Sequence, residues 1–101
     1  MREIIIAKLR NGESVVHREG GNSMTPIIRS RQPVVIEPVK LKDIEKGDIV
    51  FCKVRGMTCC HLVTAVDKTR MRFQISNNHG HVNGWTKVIY GKITKVLPMR
   101  P

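Results

Sequence analysis

The sequence predicts a mainly β protein, a coiled antiparallel sheet preceded by one short N-terminal helix. Three observations carry this. From Ser14 onward the chain is a series of short β-branched runs bounded by Gly, Pro, Asn or Asp. Two of those runs are separated only by Arg55-Gly56, the mark of a tight hairpin. Helical spacing of apolar residues is confined to "REIIIAKLR", residues 2–10, with Ile5, Ile6 and Leu9 on one side. At 101 residues the chain is expected to form a single domain, 1–101, around one modest core.

Taken in order, residues 2–10 are read as a helix that Asn11-Gly12 ends through a left-handed C-cap. The competing reading is a hairpin, because Asn-Gly is also a two-residue turn and consecutive isoleucines suit a strand. The runs "SVVHRE", "PVVIEPV", "GDIVFCKV", "MTCCHLVTAV", "MRFQISN" and "KVIYGKITKVL" then give about six strands. "KDIEKGD" at 42–48 is a polar turn between the second and third of them. A two-residue turn at Arg55-Gly56 sets a register in which Val54 faces Met57, Cys52 faces Cys59 and Val50 faces His61. Cys52, Cys59 and His61 then share one face of the sheet, and Lys53, Cys60 and Leu62 the other.

The 18 Lys and Arg against 8 Asp and Glu give a formal charge of +10, which attracts acidic partners, nucleic acid among them, without specificity. The basic residues are spread along the chain, and four aromatic residues are too few for a base-stacking platform, so nucleic-acid binding is not read as the main role. No apolar run approaches the roughly 20 residues of a membrane helix, and Lys8 and Arg10 break the N-terminal apolar stretch, so neither a membrane association nor a secretory signal is expected. An odd cysteine count, with two adjacent in "TCCH", does not suit a disulfide framework and points to a reducing cytoplasm.

"GNSMTP" at 21–26, "GDIVFCKV" at 47–54 and "HLVTAV" at 61–66 resemble, in that order, the superfamily of signal peptidases and LexA-like repressors with their small soluble relatives. The resemblance runs from about Gly20 to Leu97 and implies the coiled antiparallel β-fold of that superfamily. It also implies a serine peptidase in which Ser23 is the nucleophile and His61 the general base. Alone, Ser23 reads as a loop hydroxyl bonded to its own backbone, and His61 as a half-buried strand histidine. The resemblance makes them a pair, and the chemistry is coherent: a hydroxyl becomes nucleophilic when a neighbouring imidazole takes its proton. Gly20 and Gly21 let the loop bend, so that Asn22 and Met24, flanking Ser23, form a substrate and oxyanion loop.

The sequence departs from the resemblance at "ISNNHGHVNGW", residues 75–85. Asn77 and Asn78 match the family's Gly-Asp-Asn-Asn segment, but Ser76 stands at its acid, and His81, Val82 and Asn83 span the later acidic positions. Asn83 is therefore the candidate for orienting His61. The rest of the loop is read as structural, with Trp85 plugging the edge of the core. Leu62 replaces the Arg that usually follows the base. The 22 residues before Ser23 contain no Ala-Gly or Cys-Gly pair, so self-cleavage of the LexA type is not expected. The reading is a soluble serine-peptidase-like protein acting on a peptide or protein substrate. The alternative is a catalytically lapsed binding module that uses its basic surface for an acidic partner. No cofactor is expected. A zinc site on Cys52, Cys59 and His61, with His79 or His81 as a fourth ligand, is the further alternative to buried cysteines acting as small hydrophobes.

Overall fold

The computed structural model describes residues 2–99. Its elements are α1 (Arg2–Arg10), β1 (Val15–Arg18), β2 (Pro33–Glu37), a 3-10 turn (Leu41–Asp43), β3 (Ile49–Val54), β4 (Met57–Asp67), β5 (Arg72–Ser76), β6 (Val82–Thr86) and β7 (Val88–Val96). The Asn-Gly pair caps the helix: the Gly12 amide donates to the Leu9 carbonyl at 3.0 Å and the Glu13 amide to that of Lys8 at 2.9 Å. Leu9 is buried and Ile5 and Ile6 pack beside it, so the apolar stripe of α1 is spent on the sheet.

All seven strands pair antiparallel in one sheet of order β1-β2-β7-β3-β4-β5-β6. Sequence expectation fell one strand short. "VNGWT" reads as loop, because a glycine and an asparagine weaken strand propensity; pairing with β5 makes it strand β6, with Gln74 opposite Trp85 and Phe73 opposite Thr86. Trp85 is also corrected. It is 40% exposed, and its ring lies under the Arg72 guanidinium, 4.9 Å from the centroid, while Thr86 takes the buried position. Strand alternation forces that exchange, since neighbouring residues face opposite sides.

The β3–β4 hairpin has the expected register, Val54 against Met57, Cys52 against Cys59 and Val50 against His61. Its turn places Arg55 at φ 49° and Gly56 at φ 78°, the doubly left-handed geometry that matches strand twist. Register shifts at Val35/Ile36, Phe51/Cys52, Val63/Ala65 and Ile75/Ser76 bend the strands. The sheet coils so far that the Thr86 hydroxyl on β6 donates to the Lys53 carbonyl on β3, three places away in strand order. Coiling splits the buried residues into two clusters. One holds Val50, Cys52, Cys59, Val63, Phe73 and Ile75; the other joins Leu9, Val34, Ile36, Phe51, Cys60 and Ile93.

Gly91 marks where β7 presses closest on β2. A Cβ there would sit 2.7 Å from the Glu37 carbonyl oxygen and 2.7 Å from Ile36 Cγ2, contacts no side chain tolerates without backbone movement. Gly91→Ala is therefore expected to destabilise the fold by about 3 kcal/mol, measured by denaturant unfolding.

Candidate functional site

The connection from β1 to β2, residues 19–32, carries Ser23. It is closed at its base by the Arg31 amide donating to the Glu19 carbonyl at 2.7 Å and the Gly21 amide to Ser30 Oγ at 3.0 Å. Within it the Thr25-Pro26 peptide is cis, and the Thr25 hydroxyl donates to the Asn22 carbonyl at 2.9 Å. The loop rests on the segment between β5 and β6. There the Asn78 amide donates to the Ser23 carbonyl at 2.7 Å, and Asn78 Nδ2 to the Thr25 carbonyl at 3.0 Å. His79 Nε2 lies 2.9 Å from the Asn22 carbonyl and 3.1 Å from the Thr25 hydroxyl. Asn77 shapes that segment, its Oδ1 accepting from the amides of His79 and His81.

These bonds hold Ser23 Oγ 3.0 Å from His61 Nε2. On the other side of the ring, His61 Nδ1 lies 2.7 Å from Asn83 Oδ1. A carbonyl oxygen only accepts, so Nδ1 carries a proton, and in the neutral ring Nε2 is left with the lone pair that faces the serine. Ser23, His61 and Asn83, spread over a loop, β4 and β6, thus form one hydrogen-bonded line. His61 is 7% exposed. Asn22 is exposed, its carbonyl the hub of the loop bonds, whereas Met24 is buried beside Ser23. Lys53 lies on the opposite face of the hairpin and is exposed, outside this line. Ser76, at the position of the missing acid, is buried against Thr64, 2.8 Å between hydroxyls, and takes no part in orienting His61.

Asn78 and His79 are the positioning residues that sequence reading missed. Asn78 entered only as a motif match and His79 as a metal ligand. Their partners are carbonyls 53 to 57 residues away in sequence, for which side-chain type alone is no signal.

Burial alone would lower the His61 pKa, but hydrogen bonding and charge from Cys59, with the Asn83 bond, more than offset it and hold the pKa above its usual value. Cys59 answers in the opposite sense. The hydrogen bond from Cys52, opposed by burial and helped by His61, lowers its thiol to about 6, while the same bond and burial push Cys52 up. Replacing Cys59 by Ser removes the thiol whose hydrogen bonding and charge raise the ring's pKa. Cys59→Ser is accordingly expected to lower the His61 pKa, read from the pH dependence of its imidazole proton signals by NMR.

The metal set that the sequence offers only as an alternative is not the one whose ligand atoms the fold clusters. Cys52, Cys59 and His61 do share a face, but His61 has both ring nitrogens engaged and His79 is held by the serine loop. Among the described residues, the set whose ligand atoms all lie within 4.8 Å of one another is His17, Glu19 and Cys60, on the other face of β4. A cavity of about 20 Å³ opens between Cys60 and the Ser23 loop, lined by Glu19, Gly21, Ser23, Met24, Ile28 and Cys60 among others.

Among the described residues no helix is long and apolar enough to cross a membrane. No curated protein matches the chain, and no solved structure does. A family model described as peptidase S24-like matches residues 3–86, a span from α1 through β6 that takes in Ser23, His61 and Asn83. With most of its length inside that match and a coiled antiparallel β-fold around it, the chain belongs to the peptidase S24-like family.

Proposed function

We propose that the chain hydrolyses peptide bonds with Ser23 as nucleophile and His61 as general base. One observation carries the reading: the serine hydroxyl sits 3.0 Å from Nε2 of a histidine whose other ring nitrogen, Nδ1, lies 2.7 Å from the Asn83 Oδ1 acceptor. Ser23 Oγ attacks the carbonyl carbon of the scissile bond as its proton passes to His61 Nε2. The imidazolium so formed is held by Asn83 through Nδ1–H. Collapse of the tetrahedral adduct breaks the C–N bond, and His61 returns the proton to the departing amine. Water, deprotonated by the same nitrogen, then hydrolyses the acyl ester and frees Ser23. Backbone amides of the loop between Asn22 and Met24 supply the donors for the oxyanion. The substrate is a peptide or protein segment, and the three free cysteines suit action in a reducing compartment such as the cytoplasm.

The test is labelling of the intact protein with a fluorophosphonate. A stoichiometric adduct on the peptide that contains Ser23, absent from Ser23→Ala, supports the reading; a folded protein that takes no label refutes it.

The second reading, a lapsed binding module, is favoured by one feature: Asn83, which has no charge to stabilise an imidazolium, stands where a carboxylate would. With +10 formal charge, such a module would take an acidic partner. It is the reading that remains if Ser23 is inert.

A further inference from the structure

On the face of β4 opposite His61, three side chains of different chemistry meet. His17 comes from β1, Glu19 from the residue just beyond it and Cys60 from β4. Their potential ligand atoms all lie within 4.8 Å of one another, with His17 Nε2 3.4 Å from Glu19 Oε1. Each is held in place. Cys60 is held by its strand pairing with Phe51 and is 5% exposed. The His17 ring tilts against the Phe51 ring, 5.4 Å between centroids. Glu19 Oε2 accepts from the Cys60 amide at 3.1 Å, which leaves Oε1 turned toward the histidine. The side chains of His17 and Glu19 are only 11% and 21% exposed.

An imidazole nitrogen, a carboxylate oxygen and a thiol sulfur together are a donor set for a borderline-soft divalent cation, zinc above all. Three protein donors leave a fourth position open. Next to the set, a cavity of about 20 Å³ is lined by Glu19 and Cys60 together with Ser23, large enough for one water or one ion.

We propose that His17, Glu19 and Cys60 bind a divalent cation of the zinc type, and that the bound ion with its fourth ligand fills the cavity beside Ser23 and blocks acyl transfer there. The blocking role rests on the peptidase reading; the binding itself does not. On binding, the metal replaces the thiol proton of Cys60, which leaves to solvent, and His17 coordinates through its neutral ring. The Arg2 guanidinium, 3.6 Å from Glu19 Oε1 and half exposed, is the cation now paired with this carboxylate. Its other nitrogen donates to the Thr58 carbonyl, and it must give up the carboxylate as the ion takes its place, so Arg2 competes with the metal.

The full chain, reduced and stripped of metal, is titrated with cobalt(II) alone and then with zinc. The expected result is saturable cobalt binding with a thiolate-to-cobalt charge-transfer band, abolished in His17→Ala and Cys60→Ser, kept in Cys52→Ser and Cys59→Ser, and tighter in Arg2→Ala. Bound zinc should suppress fluorophosphonate labelling of Ser23 in the parent and not in His17→Ala. Absence of the cobalt band in the parent overturns the site. So does a band that survives in Cys60→Ser, shown to be folded by circular dichroism, and disappears in Cys59→Ser, since that places the ion on the other face. Undiminished labelling of the zinc-loaded protein overturns the blocking role. A parent that binds cobalt as expected but never labels at Ser23 upholds the site and sinks only the peptidase reading.

Discussion

His61→Ala is expected to slow fluorophosphonate labelling of Ser23 by roughly 10²–10⁴-fold, the range a positioned general base contributes, and Ser23→Ala to abolish it. A serine hydroxyl at neutral pH holds its proton tightly, and in this fold the group poised to remove it is His61 Nε2, at 3.0 Å. In the neutral ring no rearrangement is needed before transfer, since the Asn83 bond places its one proton on Nδ1. The pH profile gives the signature that separates base catalysis from simple exposure. Labelling should rise with pH, because the neutral ring is the base. Its midpoint should lie above the ordinary histidine value, because Cys59 and Asn83 favour the protonated ring more strongly than burial disfavours it. Measured with a chelator present, the profile should flatten in His61→Ala. A midpoint below the ordinary value, or a parent profile with no titration, would exclude His61 as the base. Unfolding measured alongside separates loss of chemistry from loss of fold, since His61 is buried in β4.

The second large effect runs in the direction of gain. Asn83→Asp places a carboxylate oxygen where Oδ1 now lies, 2.7 Å from Nδ1. The imidazolium that forms as Ser23 attacks is then paired with a full negative charge instead of a dipole. Plateau labelling at high pH is expected to increase by about tenfold to a hundredfold. That is less than the roughly 10⁴-fold that separates Asp from Asn where the amide imposes the wrong tautomer, because here Asn83 already holds the right one. The carboxylate also raises the pKa of His61 further, so the midpoint moves to higher pH and the gain shrinks below it. Asn83→Ala should lower the plateau and leave the ring unoriented. An Asp variant no faster than Asn83→Ala would show that the Nδ1 partner does not govern reactivity. The same comparison bears on the binding-module reading, since a protein that recovers reactivity from one carboxylate has lost only that group.

Local features were legible in the chain itself. Apolar spacing over residues 2–10 and the Asn-Gly pair after them describe a capped helix that the fold contains unchanged. The Arg55-Gly56 turn was enough to assign every pair in the β3–β4 hairpin, because a two-residue loop leaves no freedom of register. β6 was not legible. "VNGWT" has weak strand character on its own, and only the edge of β5 gives its backbone groups partners. The outward turn of Trp85 followed from the same cause, since pairing, not hydrophobicity, decides which of two neighbours faces the core.

What the sequence by itself determined is the fold class and the identity of the three groups that meet: a serine after a glycine pair, a histidine on a known face of a hairpin, and an asparagine where an acid would be expected. Only the tertiary structure decided that they meet. Bulges coil the sheet until β6 passes over β3 and brings Asn83 to the ring of His61, and the clasp of Asn78 and His79 on the serine loop brings Ser23 to the other side. The coiling also leaves Cys59 beside the ring of His61 and seats Cys60, its neighbour in sequence, with His17 and Glu19 on the opposite face. The physical reason is one of range. Turn geometry and alternation act over a few residues, while the curvature of a sheet is the sum of many small twists and bulges, and no short segment carries that sum.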